Sequence, residues 1–251
     1  MSSTLRDDPW PVASRVNGWL TPREGEFLRR AAAHAGRDAH IVEIGSFFGR
    51  STLCLAAGLQ PGARITSVDP HIGSPKHTEI LGCTDTWPHF LATLEAAGVR
   101  DRVHPIRKLS TEAVAEVDGP IDLLFIDGSH VYEDVRRDHE DWSPKVRAGG
   151  VIAFHDSWHM TGPHRATAEI LLSSGQLHRP RLVDTITAAT KVEECTVVDT
   201  ITAATKDEEC TALDRAMNGA FLLGRLPRGA LGFARLTWGG GTRLERVASL
   251  D

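Results

Sequence analysis

The chain has 251 residues, a formal net charge of −5 at pH 7 and 28 scattered basic residues. Its length allows one large domain with appendages and a substantial core. The acidic balance excludes a basic nucleic-acid face, and no apolar run approaches the roughly 20 residues of a membrane span. The first residues, Met1 to Asp8, lack the basic-then-apolar layout of a signal peptide, and Cys54, Cys83, Cys195 and Cys210 show no C-x-x-C spacing. A reduced, cytoplasmic chain is the expectation.

Helical and strand-like patterns alternate from about residue 23 to 175. Pro22–Ala35 reads as a helix, with Thr21 as N-cap and Pro22 at the first helical position. His40–Ile44 follows as a short apolar strand, Arg50–Leu59 as a helix and Arg64–Val68 as a strand. Trp87–Ala97 is an amphipathic helix stopped at Gly98, and Val103–Ile106 a short strand before a short helix at Thr111–Ala115. Then come strand Ile121–Ile126, helix Tyr132–Trp142, strand Val151–Phe154 and helix Arg165–Ser174. This alternation predicts a mostly parallel sheet with right-handed crossovers and helices on both faces.

Beyond residue 180 the pattern breaks. Val183-Asp-Thr-Ile-Thr-Ala-Ala-Thr-Lys191 recurs as Val198-Asp-Thr-Ile-Thr-Ala-Ala-Thr-Lys206, a period of 15 residues. Two copies are too few for a solenoid, so a local tandem duplication within 183–211 is the reading. One copy is expected to form a strand paired with Gly219–Gly224, and the other to extend a hairpin or lie in a loop. The organisation expected is an N-terminal helical cap (1–36), one main domain (37–226) and a tail (227–251) containing Gly239-Gly-Gly241.

Chemistry-bearing residues gather at strand ends. Strand Ile121–Ile126 runs into Asp127-Gly-Ser-His130, and Gly149–Phe154 runs into His155-Asp156. In open α/β sheets, ligands sit just beyond the carboxyl ends of the strands. The first strand leads into Glu43-Ile-Gly45-Ser46-Phe-Phe-Gly49-Arg-Ser51. Glycines there let a ligand approach the backbone, and the next helix offers unpaired N–H groups to an anion. The acid-x-Gly-x-x-x-Gly spacing is not that of dinucleotide binding. It suits a ligand with an amino-acid end, with Glu43 supporting an ammonium network and Ser51 bonding a carboxylate. Asp69, after the second strand, suits contact with two ribose hydroxyls, and Ser110 is placed to border an adenine. The same residues have plainer readings: a tight turn at the glycines, a first-turn serine at Ser51 and a helix cap at Ser110.

These stretches, Val42–Ser51, Thr66–His71 and Ile121–Asp156, resemble a class I S-adenosylmethionine-dependent methyltransferase, and within that class the small-molecule O-methyltransferases of catechol and macrolide-sugar type. The resemblance implies a Rossmann-like seven-stranded sheet ending in an antiparallel hairpin. It implies S-adenosylmethionine contacts from Glu43, Gly45, Ser46, Gly49, Ser51, Asp69, Ser110 and Asp127. It also implies a divalent metal, Mg²⁺ or Mn²⁺, at Asp127, His155 and Asp156, and His130 as general base beside Asp127. Position 155 is His where metal-dependent relatives tend to have an acid. That points to a softer metal or to no metal, with His155 in a hydrogen-bond network. The expected partners are a small hydroxylated acceptor and a second copy of the chain, with the duplicated segment reshaping the acceptor side or a subunit interface. A metal-independent transferase, a non-catalytic cofactor-binding scaffold and an antibiotic-nucleus hydroxylase remain open beside it.

Overall fold

The computed structural model describes residues 7–73, 82 and 84–193. Two short helical pieces open it, α1 (Trp10–Ala13) and α2 (Pro22–Ala35), followed by β1 (His40–Ile44), α3 (Arg50–Gly58) and β2 (Arg64–Val68). Then come α4 (Trp87–Ala96), β3 (Val103–Ile106), α5 (Ser110–Ala113), β4 (Ile121–Ile126), α6 (Tyr132–Trp142), β5 (Val146–Phe154), α7 (Thr161–Ser173), β6 (Leu177–Val183) and β7 (Ile186–Lys191). The strands form one sheet in the order β3-β2-β1-β4-β5-β7-β6. The first five are parallel to their neighbours, and β7 runs antiparallel between β5 and β6. Among the described residues, no helix is long and apolar enough to cross a membrane.

The continuous apolar runs are explained by burial on both faces. All five residues of β1 are buried. Alternate side chains go to opposite layers. Ile41, Ile65, Leu123 and Phe125 pack with Leu28, Leu53, Leu55 and Phe90 from α2, α3 and α4. Val42, Ile44, Leu124 and Ile126 pack with Val135, Trp142 and Ile170 from α6 and α7. Thr21 caps α2 as expected, in a reciprocal capping box with Glu24.

Three elements differ from the sequence reading. Helix α7 starts at Thr161, four residues ahead of Arg165, and β5 starts at Val146 rather than Val151. Strand β6 has no counterpart in the sequence pattern, since Pro180 and two arginines interrupt its apolar run. It is an edge strand, where a missing N–H is tolerated, and its register slips between His178 and Arg181 around Pro180. The first duplicate is β7, and β5 and β6 take both of its edges. Its hairpin partner is therefore Leu177–Val183 and not Gly219–Gly224; those residues, the second duplicate and the tail lie outside the described residues.

Gly45 shows how tightly the strand ends meet. It has φ +88°, and a Cβ there would lie 2.3 Å from the Asp127 carbonyl oxygen. Gly36, at the end of α2, has φ +95° but nothing within 4 Å of such an atom. Gly36→Ala is expected to cost about 1–3 kcal/mol, the penalty for a backbone region open essentially only to glycine. Gly45→Ala should cost more than ~3 kcal/mol, because β1 and β4 must separate to admit the methyl group. Urea unfolding of the two variants against the parent checks the difference.

Candidate active site

The loop after β1 is tied down by Asp69. One carboxylate oxygen accepts from the backbone N–H of Ser46 at 2.9 Å and of Phe47 at 2.8 Å; the other accepts from His71 N–H at 2.6 Å. The residue expected to meet a ribose thus also shapes the loop beside it. Its side chain remains 15% exposed.

Glu43 is fully buried. It accepts from the hydroxyls of Ser51, Thr52 and Ser67 at 2.5, 2.6 and 2.7 Å. Burial pushes its carboxyl up to about 7, against the pull of these three donors. Ser51 therefore spends its proton on Glu43 and lies inside the protein. The missing side chains of Gly45 and Gly49 make room for protein: Gly45 faces the Asp127 backbone, and Gly49 faces Phe90 and Thr93 of α4. Ser46 is different. Its hydroxyl is buried without a hydrogen-bond partner among the described groups. An orphaned polar atom in this loop fits a polar ligand there.

Ser110 opens α5 and donates to Asp138 of α6. Asp138 is 5% exposed, and burial pushes its carboxyl up to about 6. Its position between Val135 and Trp142, on the buried face of α6, is the signal that could have found it.

Beyond β4 and β5 lies a cluster of acids and histidines. One ligand atom each from Asp127, His130 and Asp156 lies within 4.8 Å of the others. His130 Nε2 is 3.0 Å from Asp156, and His159 Nε2 approaches the other Asp156 oxygen at 3.3 Å. Asp156 sits at φ +52°, a left-handed backbone that aims its carboxylate at this group. The first turn of α7 closes against it: a Cβ on Gly162 would fall 2.1 Å from the His130 carbonyl oxygen.

His155 has a different place. Its side chain is 4% exposed, with Nδ1 3.0 Å from Asp127 and 3.4 Å from Asp156, and Nε2 3.5 Å from Glu24. Neither nitrogen meets hydrogen-bond geometry, so these contacts are ionic. Burial alone would lower its proton affinity, but the surrounding carboxylates override that and push it up to about 12. His155 lies behind the Asp127–His130–Asp156 group, with Nδ1 turned toward both carboxylates.

Glu24 is the partner that sequence reasoning missed. It is fully buried and caps α2, and its other oxygen accepts from Thr185 N–H at 2.8 Å and the Thr185 hydroxyl at 2.6 Å. Burial would raise its carboxyl, yet His155, Thr185 and Thr21 together hold it at about 2. The capping box is legible in Thr21-x-x-Glu24; the contact with His155, 131 positions away, is not.

Against known proteins, a family model described as a methyltransferase domain matches residues 42–157. The chain is 34% identical over 145 residues to the uncharacterized protein y4gI of Sinorhizobium fredii, covering 56% of this chain and 15% of that one. It is 31% identical over 109 residues to a catechol O-methyltransferase of Mycobacterium tuberculosis, covering 43% and 44%. The chain thus spans less than half the length of these curated relatives. Among solved structures, the O-methyltransferase from Bacillus cereus in complex with SAH aligns at TM-score 0.54 and 21% identity, over 76% of this chain and 92% of that one. Cofactor-bound Rv0187 from MTB aligns at TM-score 0.58 and 20% identity, over 77% and 92%. By fold, and by the domain match over residues 42–157, the chain is similar to class I S-adenosylmethionine-dependent methyltransferases. It resembles the small-molecule O-methyltransferases in particular.

The buried ions make stability depend on pH in a defined sense. Glu24 is lowered from 4.5, so its contribution is present above that value and lost as pH falls toward 2. His155 is raised from 6.5, so its contribution is full below 6.5 and lost as pH rises toward 12. Glu24→Gln is expected to cost about 3 kcal/mol between those limits, the scale for breaking a buried ion pair. The deficit should shrink outside the window on both sides. Thermal unfolding of parent and variant at pH 3, 5.5 and 9 measures it.

Proposed function

We propose that this protein transfers the methyl group of S-adenosylmethionine to a hydroxyl of a sugar or other natural-product small molecule. The observation that carries this reading is the His130–Asp156 pair, set beside Asp127 at the strand ends next to the Ser46 loop. The curated catechol O-methyltransferase relative supports O-methylation as the reaction class.

In this reading Glu43, Gly45, Ser46, Gly49, Ser51, Asp69, Ser110 and Asp127 hold the cofactor, some by contact and some, like Glu43 and Ser51, through the loop they brace. S-adenosylmethionine when bound supplies a methyl group already made electrophilic by its sulfonium. The chain's own task is alignment, water exclusion and removal of the hydroxyl proton. With its Nε2 hydrogen donated to Asp156, His130 has Nδ1 as the basic nitrogen. The bond to Asp156 raises the imidazole above its ordinary proton affinity, more than its partial burial lowers it. Asp127 adds negative charge on the side where the cation approaches.

The residues present also fit a divalent ion at Asp127 and Asp156, with an imidazole in reach; such an ion, when bound, would acidify the acceptor hydroxyl. One observation favours a metal-free variant of the same reaction: His155 already places a positive charge between those two carboxylates. The acidic chain and its cysteine usage support a cytoplasmic enzyme acting on free small molecules rather than nucleic acid.

Incubation with S-adenosylmethionine and a panel of hydroxylated acceptors should release S-adenosylhomocysteine; absence of cofactor binding by calorimetry would falsify the assignment. His130→Ala should lower kcat by about 100-fold or more. The parent's kcat/KM should rise with pH through a value above the ordinary imidazole 6.5. Exhaustive EDTA treatment separates the two variants: turnover lost and restored by Mg²⁺ or Mn²⁺ selects the metal-assisted reaction, and full activity after chelation selects the metal-free one.

A further inference from the structure

The β7 position makes a short list of demands, and the sequence meets it twice. Ile186 is fully buried, and Ala188 and Ala189 are 5% and 3% exposed in the sheet. Thr187 takes a hydrogen bond from Ser157 at 2.7 Å, and Lys191 Nζ donates to the carbonyls of Ser143 and Val146, both at 2.8 Å. In the turn ahead of the strand, Thr185 bonds Glu24, and Asp184 accepts from Thr21 and Arg23. Each of these residues has an identical counterpart 15 positions on: Asp199, Thr200, Ile201, Thr202, Ala203, Ala204 and Lys206. Across Val183–Val197 the repeat departs only at Val192, where the second copy has Asp207, and at Val197, where it has Ala212. Both departures fall after the end of β7.

Side-chain recognition therefore cannot tell the copies apart. We propose that the β7 place is shared by two registers of the same chain, Ile186–Lys191 in one and Ile201–Lys206 in the other. What separates the registers is the length of the connection from β6. Residues 184–185 span it in the first register, and residues 184–200 span it in the second. The probability of closing a loop falls as the inverse three-halves power of its length, so the short connection is favoured by about 25-fold. The second register is a minor state that becomes the major one whenever the first copy is disabled.

The exchange has a place to act. Thr187 stands opposite Phe154, so β7 begins where β5 ends, beside His155. That edge lies next to the Glu24–Thr185 contact. Any consequence for an acceptor rests on the O-methyltransferase reading; the exchange itself does not.

The test uses the full-length protein and three variants: Ile186→Asp, Ile201→Asp and both together. Thermal unfolding is followed by circular dichroism, with size-exclusion chromatography at two concentrations. Ile201→Asp should melt with the parent. Ile186→Asp should stay cooperatively folded and monomeric, with its midpoint lowered by about 4–8 °C, the shift that a 25-fold change produces in a domain of this size. The double variant should lose the cooperative transition. The proposal is overturned if Ile186→Asp is as damaged as the double variant, or if the double variant melts with the parent. It is equally overturned if Ile186→Asp survives only as a concentration-dependent dimer, since the second copy would then come from another molecule. None of these outcomes depends on methyl transfer, so failure here leaves the enzymatic reading untouched.

Discussion

A buried imidazolium among three carboxylates is the contact on which the site depends. His155 touches Asp127 from β4, Asp156 beside it and Glu24 from α2. Each ion would be expensive to bury alone. Together they draw the N-terminal helix, the end of β4 and the end of β5 to one point. Glu24 extends the group to the β6–β7 turn through Thr185. The order of dependence is clear from the burial: His155 and Glu24 are inside, whereas His130 is half exposed in front of them. The half-exposed His130 is therefore backed by groups buried behind it.

The proposed cofactor side is built by the same economy with different chemistry. Glu43 binds three hydroxyls rather than a cation, and burial pushes its carboxyl up to about 7. Asp69 binds three backbone N–H groups, fixing the loop before any ligand arrives. One side of the crevice is thus stiffened by hydrogen bonds among uncharged donors and the other by ion pairs. A loop already fixed loses little freedom on binding, which favours affinity.

Much of this was legible in the sequence. The parallel strands, the strand-end acids and the capped α2 are local patterns, set by residues a few positions apart. The class of fold followed from their order. What stayed hidden depends on distant partners. Ser51 and Glu43 read as ligand contacts because nothing nearby showed that they satisfy one another. His155 read as a metal ligand or network residue, and only Glu24, from the far end of the chain, shows why it carries a charge. Strand β6 was obscured by Pro180, whose tolerance depends on lying at an edge.

The contact between Gly45 and the Asp127 backbone joins the two halves of the crevice. The loop proposed to face the cofactor and the strand end proposed to face the acceptor meet there without an intervening side chain. Neither can be displaced without dragging the other. Under the proposed reaction, the distance between methyl donor and acceptor oxygen is a property of the scaffold, inherited from strand pairing rather than set afresh by each ligand. Acceptors of different size would then be accommodated at the outer rim, where substrate could change while the reaction coordinate stays the same.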